Sequence, residues 1–257
     1  MKTHSVENIS IEIILFLGIV ATLAGFIDAI AGGGGLLTVP ALLWVGIPPL
    51  NALATNKLQG CFGTATASVN FWRKGLLPIN QLKTPVVMTF FGAICGTWLV
   101  QNVSSDSLNA IIPWLLISFA LFFAFSPKAS DLDRQARLSI GAFGISTCSL
   151  IGFYDGFFGP GTGSFFMLAV ILLVGFNITK ATATTKLLNF TSNIASLVFF
   201  TLGGHVLWLT GLVMGMGQMI GSWLGSQLAI KHGGKIIKPL LVLSSVALSI
   251  KLLLNNY

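Results

Sequence analysis

Two aspartates and two lysines stand at matched places within apolar sequence: Asp28 and Lys57 early in the chain, Asp155 and Lys186 later. Of the seven acids, only these two fall well inside apolar stretches, and the two lysines enter long apolar stretches about two turns in. An ionisable group at the centre of a bilayer costs roughly 2.5–3.5 kcal/mol even on a lenient insertion scale. Four of them together would cost on the order of 10 kcal/mol unless paired, hydrated or neutralised. Each Asp–Lys set belongs to one longer passage written twice. Residues 25–58 read GFIDAIAGGGGLLTVPALLWVGIPPLNALATNKL, and residues 152–187 read GFYDGFFGPGTGSFFMLAVILLVGFNITKATATTKL. Both contain an Asp, a glycine cluster, a short apolar run and an Ala-x-Ala-Thr-x-Lys box, with a two-residue insertion in the second. The chemistry open to such groups is proton coupling or gating by Asp28 and Asp155 and anion binding by Lys57 and Lys186. The plainer alternative is fixed ion pairs or helix-end anchors.

The glycine clusters, Gly32-Gly33-Gly34-Gly35 and Gly159-Pro160-Gly161-Thr162-Gly163, interrupt helix inside the hydrophobic zone. Broken backbone at that depth survives only where it is buried in protein or lines a wet cavity. The short helix that follows begins with free N–H groups and the positive end of its dipole, an anion-binding arrangement. Thr162 and Ser164 add hydroxyl donors. From the Ala-Thr-Lys boxes come Thr55, Asn56 and Lys57 in the first copy and Thr184, Thr185 and Lys186 in the second. Beyond the lysines, Gly60, Cys61, Thr64 and Ser68 on one side and Asn189, Asn193 and Ser196 on the other recur at helical spacing. Close helix packing is the alternative reading for both the glycines and these stripes. Neither cluster fits a nucleotide loop, since neither continues into Gly-Lys-Ser/Thr or matches G-x-G-x-x-G.

The elements that must hold these residues are set by composition. Hydrophobic residues make up 54% of the chain and charged residues 8%, with a mean hydropathy of +0.88; a soluble domain carries about 25% charged residues. The fold class expected is an all-α polytopic membrane protein. Long apolar stretches at 11–31, 50–72, 84–103, 107–126, 138–158, 180–202, 206–229 and 236–254 give eight transmembrane helices, and 36–47 and 163–176 give two short helices interrupted by glycine. The first stretch is kept as part of the mature protein rather than a cleaved signal, because it carries the first motif copy. The chain divides into a first transmembrane repeat (1–126), a cytoplasmic connector (127–137) and a second repeat (138–257). Basic residues in loops 73–83 and 230–238 and in the connector, against none in 101–106 and 203–205, place the first three in the cytoplasm. That parity requires the short segments to cross, giving five passes per half and inverted repeats. The alternative is eight spans with two re-entrant loops. In the inverted arrangement the expected pairs run between halves, Asp28 with Lys186 and Asp155 with Lys57.

Other chemistries find little purchase. Cys61, Cys95 and Cys148 lack metal or redox spacing, so no metal or cofactor is expected. The +7 net charge is spread over loops, a topology signal rather than a nucleic-acid surface. His205 lies beside a Gly-Gly turn without a Ser or paired carboxylate at motif spacing, so no catalytic residue is assigned. Small-residue patterns at Gly211, Gly215, Gly217, Gly221 and Gly225 suit packing within a protomer or between protomers, leaving a homo-oligomer open.

The paired motifs, G-G-G-G-L-L-T-V-P with A-L-A-T-N-K and G-P-G-T-G-S with A-T-A-T-T-K-L-L-N, resemble those of the TauE/SafE-type sulfite exporter family over essentially the whole chain. The resemblance implies a multi-pass protein of the bacterial cytoplasmic (inner) membrane that transports small anions, often sulfur oxyanions or organosulfonates. The residues agree on the sign of the cargo and contain no ATP-binding motif, so secondary transport is expected. A passive anion channel and, further off, an intramembrane enzyme are the competing classes. The partners expected are the anion and the lipid bilayer.

Overall fold

The computed structural model describes residues 9–108, 110–112, 114 and 135–233. The apolar stretches 107–126 (in most of its length) and 236–254, and the connector through residue 134, lie outside the described residues. Among the described residues the protein is all-helical, with no strand. The main helices are α1 (Ile11–Ala31), α2 (Gly35–Trp44), α3 (Pro49–Arg73), α4 (Lys83–Gln101), α5 (residues 140–157), α6 (Thr162–Val174), α7 (Ile178–Leu202) and α8 (Trp208–His232). A π turn at Gly144–Cys148 interrupts α5, and another at Val170–Val174 closes α6.

Local signals set the helix starts. Ser10 Oγ caps α1 by accepting from Ile13 N, Ser139 Oγ caps α5 by accepting from Ala142 N, and Asn177 Oδ1 caps α7 by accepting from Lys180 N. Pro49 opens α3, where a missing N–H is harmless. The breaks fall at the glycine clusters: Gly32 (φ +81°), Gly33 (+93°), Gly159 (+95°) and Gly161 (+87°) adopt backbone angles that side-chain-bearing residues avoid.

Each short helix doubles back along the helix before it. The rings of Phe16 on α1 and Trp44 at the end of α2 stand 5.9 Å apart, and Leu17 and Ala21 share a core with Leu42 and Ile47. At the other break, Arg137 N and Leu138 N both donate to Leu173 O at 2.9 Å, and Phe143 and Cys148 pack with Val170, Ile171 and Val174. The protein thus holds two helical hairpins, α1–α2 and α5–α6, and their tips touch. A Cβ on Gly32 would lie 2.5 Å from Ser164 N, and one on Gly35 would lie 3.2 Å from Pro160 Cα. Ser164 Oγ donates to Ala31 O across this contact (3.0 Å).

The long helices brace the hairpins: α1 packs along α8, α5 along α4, and α3 against α7 and α8. Glycines let these backbones approach closely. A Cβ on Gly221 would sit 1.9 Å from Thr22 O, and one on Gly156 would sit 2.0 Å from Ala93 O.

Polarity runs inside out. Ile11, Leu15, Ile19 and Leu23 form a stripe down α1 that is 57–65% exposed, and Leu209, Ile220 and Trp223 do the same on α8. Thr55, Asn56, Lys57, Gln59 and Thr64 of α3 are buried, as are Thr185, Lys186, Asn189 and Asn193 of α7. Such outer faces suit hydrocarbon. Only α1 and α4 among the described helices are both long and apolar enough to qualify as spans by composition, fewer than the eight stretches suggest. The reason is visible in α3, α7 and α8. At 25 residues each they reach roughly 38 Å, longer than a ~30 Å hydrocarbon core, but inward polar residues dilute their hydropathy.

Candidate functional site

The four buried charges among the described residues form two pairs, each joining the two halves. Lys57 Nζ lies 2.9 Å from Asp155 Oδ1, and Lys186 Nζ lies 3.2 Å from Asp28 Oδ2. These are the cross-half pairs that the inverted arrangement calls for. Each ammonium also donates to the backbone carbonyl of its aspartate partner. It therefore sits at the negative C-terminal end of α1 or α5, where a cation is favoured. Lys57 is 1% exposed and Lys186 is fully buried. Further hydrogen bonds offset part of the cost of burying each ion pair. Gly34 N–H supplies one to Asp28 Oδ1 (3.1 Å), and Thr162 Oγ1 supplies one to Asp155 Oδ1 (2.7 Å). Both donors come from the start of the short helix, so each aspartate ties its helix break to the other half of the protein.

Between the hairpin tips lies a cavity with about 40 Å³ open to the centre of a water molecule. At roughly 10–15 Å³ per water on this measure, it has room for about three waters or one small oxyanion. Its sixteen lining residues are all Asp, Gly, Asn, Gln or Thr, so no apolar side chain touches it. Among them are Gly33, Gly34 and Gly35 at the start of α2 and Gly161, Thr162 and Gly163 at the start of α6. Two positive helix ends therefore point into it.

Of the residues singled out from sequence, Asp28, Gly33, Gly34, Gly35, Asn56, Asp155, Gly159, Gly161, Thr162, Gly163, Asn189 and Asn193 line this space. Gly32 instead forms the tip-to-tip contact. Thr55 lies off the cavity and accepts from Leu207 N (3.2 Å) at the α7–α8 loop. Thr184, Thr185, Lys57 and Lys186 are buried but do not line it, and the two lysines are paired with Asp155 and Asp28. Gly60 and Thr64, from the stripe that follows Lys57, line it as well, and two lining residues were not among the sequence candidates: Gln59 and Gln218. Helical spacing from Asn56 places Gln59 one turn on, so that signal was present. Gln218 sits on α8 with no motif around it.

Amide side chains furnish the walls. Asn56 Oδ1 accepts from Thr38 Oγ1 and from Gln59 Nε2, each at 2.7 Å. Its Nδ2 faces Gly35, Asn193 Nδ2 faces Gly60, and Asn189 Nδ2 faces Gly163. Asn189 and Asn193 occupy the places in the second copy that Gly60 and Thr64 hold in the first. At these two places the second copy supplies amides where the first has a glycine and a threonine. Away from this site, partial burial pushes the His205 imidazole below its ordinary range, and its backbone carbonyl accepts from Asn51 Nδ2 (2.9 Å).

The family model for the sulfite exporter TauE/SafE matches residues 17–252. The chain belongs to the TauE/SafE sulfite exporter family. It is similar to "Probable membrane transporter protein ORF9" of Sinorhizobium sp, 48% identical over 96% of this chain and 95% of that protein. It is similar to "Probable membrane transporter protein YfcA" of Escherichia coli strain K12, 49% identical over 95% of this chain and 91% of that protein. A more distant likeness, 27% identical over 49% of this chain and 31% of the other, is to "Sulfite exporter TauE/SafE family protein 6" of Arabidopsis thaliana. No solved structure matches the chain. In this TauE/SafE protein both copies of the duplicated motif, including the two ion pairs, fall inside the matched region.

Proposed function

We propose that the protein is a secondary transporter that moves a small anion, a sulfur oxyanion or organosulfonate-like species, across the bacterial cytoplasmic membrane. The observation that carries this reading is the cavity at the meeting of two broken helices, lined by Asp, Gly, Asn, Gln and Thr, with two helix starts and several amides among its walls. Discontinuous helices meeting near mid-membrane are how many transporters expose backbone dipoles to an anionic cargo. The names of the similar membrane transporters support it.

The hairpins keep the parity of the inverted-repeat reading but not its five passes per half, because α2 and α6 return beside the preceding helix instead of crossing. A chain that goes in along α1 and returns along α2 is back on its starting side. With α3 and α4 each crossing once, and 107–126 kept as the span its sequence predicts, the α3–α4 loop and the connector share the opposite side. The same pattern in the second half brings loop 230–238 to that side too, so all three basic loops face the cytoplasm. The two hairpins then enter from opposite faces and meet in the middle. Asp28 and Asp155 act as gating or proton-coupling groups in this scheme, because each Asp–Lys link joins one half to the other.

Counterflow in proteoliposomes tests the reading. Liposomes preloaded with unlabelled sulfite are expected to take up labelled sulfite faster than empty ones, and an inward proton gradient is expected to change the rate. Equal rates with and without preloading contradict a carrier and indicate a pore. Indifference to the gradient removes the proton role.

A further inference from the structure

We propose that α8 moves as one body with the α1–α2 hairpin, and that this body parts from α3 to open the cavity toward the cytoplasm along the α3–α8 seam. This rests on the transport reading and adds the route. The moving unit is then not one of the two halves of the sequence, because α8 belongs to the second half and α1 to the first.

α8 meets its two main neighbours in different ways. Toward α1 it presents Gly217, Gly221 and Gly225, where an added Cβ would run into the carbonyl oxygens of Gly18, Thr22 and Phe26. Gly25 of α1 answers in kind, with its added Cβ against Gln218 O. Backbone rests on backbone along this contact, and interiors packed that closely shift as a block. Toward α3 the contacts are made by side chains. Gly211 faces Leu58, Gly215 faces the Phe62 ring, and Gly63 of α3 faces the Gln218 and Ser222 side chains. Side chains can change rotamer and release a neighbour, and backbone cannot. The α3 contact is therefore the one that gives. The same rule ties α4 to α5, where Gly92 and Gly96 meet Ser149 O and Phe153 O.

The seam also continues the polarity of the cavity. Thr64 and Gln218 line the cavity, and from Gln218 the buried Ser222 and Ser226 follow down α8 at helical spacing. Asn70 Nδ2 of α3 donates to Ser226 Oγ across the seam (2.7 Å), close to the basic end of α3 at Arg73. Ser222 Oγ donates to Gly25 O of α1 (3.2 Å), a bond that stays inside the moving body. When the seam parts, water takes over the Asn70–Ser226 bond, so opening exchanges one hydrogen bond for others. The Asp28–Lys186 pair and the contact of Ser164 with Ala31 lie together at the end of α1. They stay closed, and the body turns about them.

The test is thiol labelling of the full-length protein in membrane vesicles, with an impermeant methanethiosulfonate applied from the cytoplasmic side. Mass spectrometry of the peptide carrying each new thiol separates it from the native cysteines. Ser222→Cys and Ser226→Cys are expected to react roughly tenfold or more faster than Ala29→Cys. Ala29 is fully buried against Gly225, between α1 and α8, and stays covered if those helices move together. Protection of both seam positions overturns the inference, and so does labelling of Ala29→Cys as fast as Ser226→Cys. A second measurement joins Asn70→Cys to Ser226→Cys with a short bifunctional methanethiosulfonate. Sulfite counterflow is expected to fall roughly tenfold or more and to return on reduction. Full counterflow by the linked protein overturns the route. Labelling needs no cargo, so the expected labelling in a protein that moves no sulfite contradicts the anion reading and leaves the moving seam standing.

Discussion

Exchanging Lys186 for methionine is expected to abolish transport and to remove about 3–5 kcal/mol of stability. The side chain is fully buried, and its ammonium holds both the carboxylate and the backbone carbonyl of Asp28. Methionine fills much of the same volume, so packing alone would change little. What it leaves behind is a buried carboxylate without its counter-ion, held only by Gly34 N–H. Adding Asp28→Asn removes the stranded charge, so the double variant is expected to melt closer to wild type while transport stays lost. Charge exchange sharpens the test. Asp28→Lys with Lys186→Asp re-forms a pair, whereas Asp28→Lys with Lys57→Asp puts two ammonium groups together at one site and two carboxylates at the other. Thermal melts in detergent and uptake in proteoliposomes are expected to favour the first exchange clearly. Rescue by the second alone would contradict the cross-half pairing.

Gly32→Ala is expected to part the hairpin tips and cost roughly 2–5 kcal/mol, with loss of uptake. The backbone there has φ +81°, and the added methyl would lie 2.5 Å from Ser164 N and 2.6 Å from Gly163 C. The neighbours are backbone atoms of the opposing helix start, which cannot swing aside as a side chain would. Gly35→Ala is the control. Gly35 is not among the positive-φ glycines, and its added methyl would come no nearer than 3.2 Å to its nearest neighbour, Pro160 Cα. It is expected to fold with a much smaller loss. Equal melting temperatures and uptake for Gly32→Ala and wild type would mean that the tips do not need to touch.

The parts of the site that could be read from residues alone are those fixed by charge and by backbone. Four ionisable groups in apolar sequence have few affordable arrangements, so the partners of Asp28 and Asp155 followed once the halves were taken as inverted. Glycine clusters inside apolar sequence announce a break in the same way. Side-chain direction was harder to read. Asn56 and Lys57 are adjacent and so point about 100° apart on a helix. If Asn56 faces the cavity, Lys57 is turned off it, and the structure has it reaching Asp155 instead. Reading the lysines as direct ligands overlooked that rotation. Gln59 was legible by helical spacing from Asn56, but Gln218 was not. It comes from α8, a helix with no copy of the motif, and is brought in by packing against α1 and α3. Doubling back of α2 and α6 was open only as the alternative of re-entrant segments, because length says how far a segment reaches, not which way it turns after a glycine break.

The claim on which the account depends is that a small anion binds among the amides between the hairpin tips. Asn193 lines that cavity beside Gly60, and leucine nearly matches its shape without its donors. Titration of hydrogen sulfite into Asn193→Leu is the most direct measurement. The account expects binding at least roughly tenfold weaker than wild type, with a melting temperature at or above the wild-type value. Binding of wild-type strength in the folded variant would contradict it.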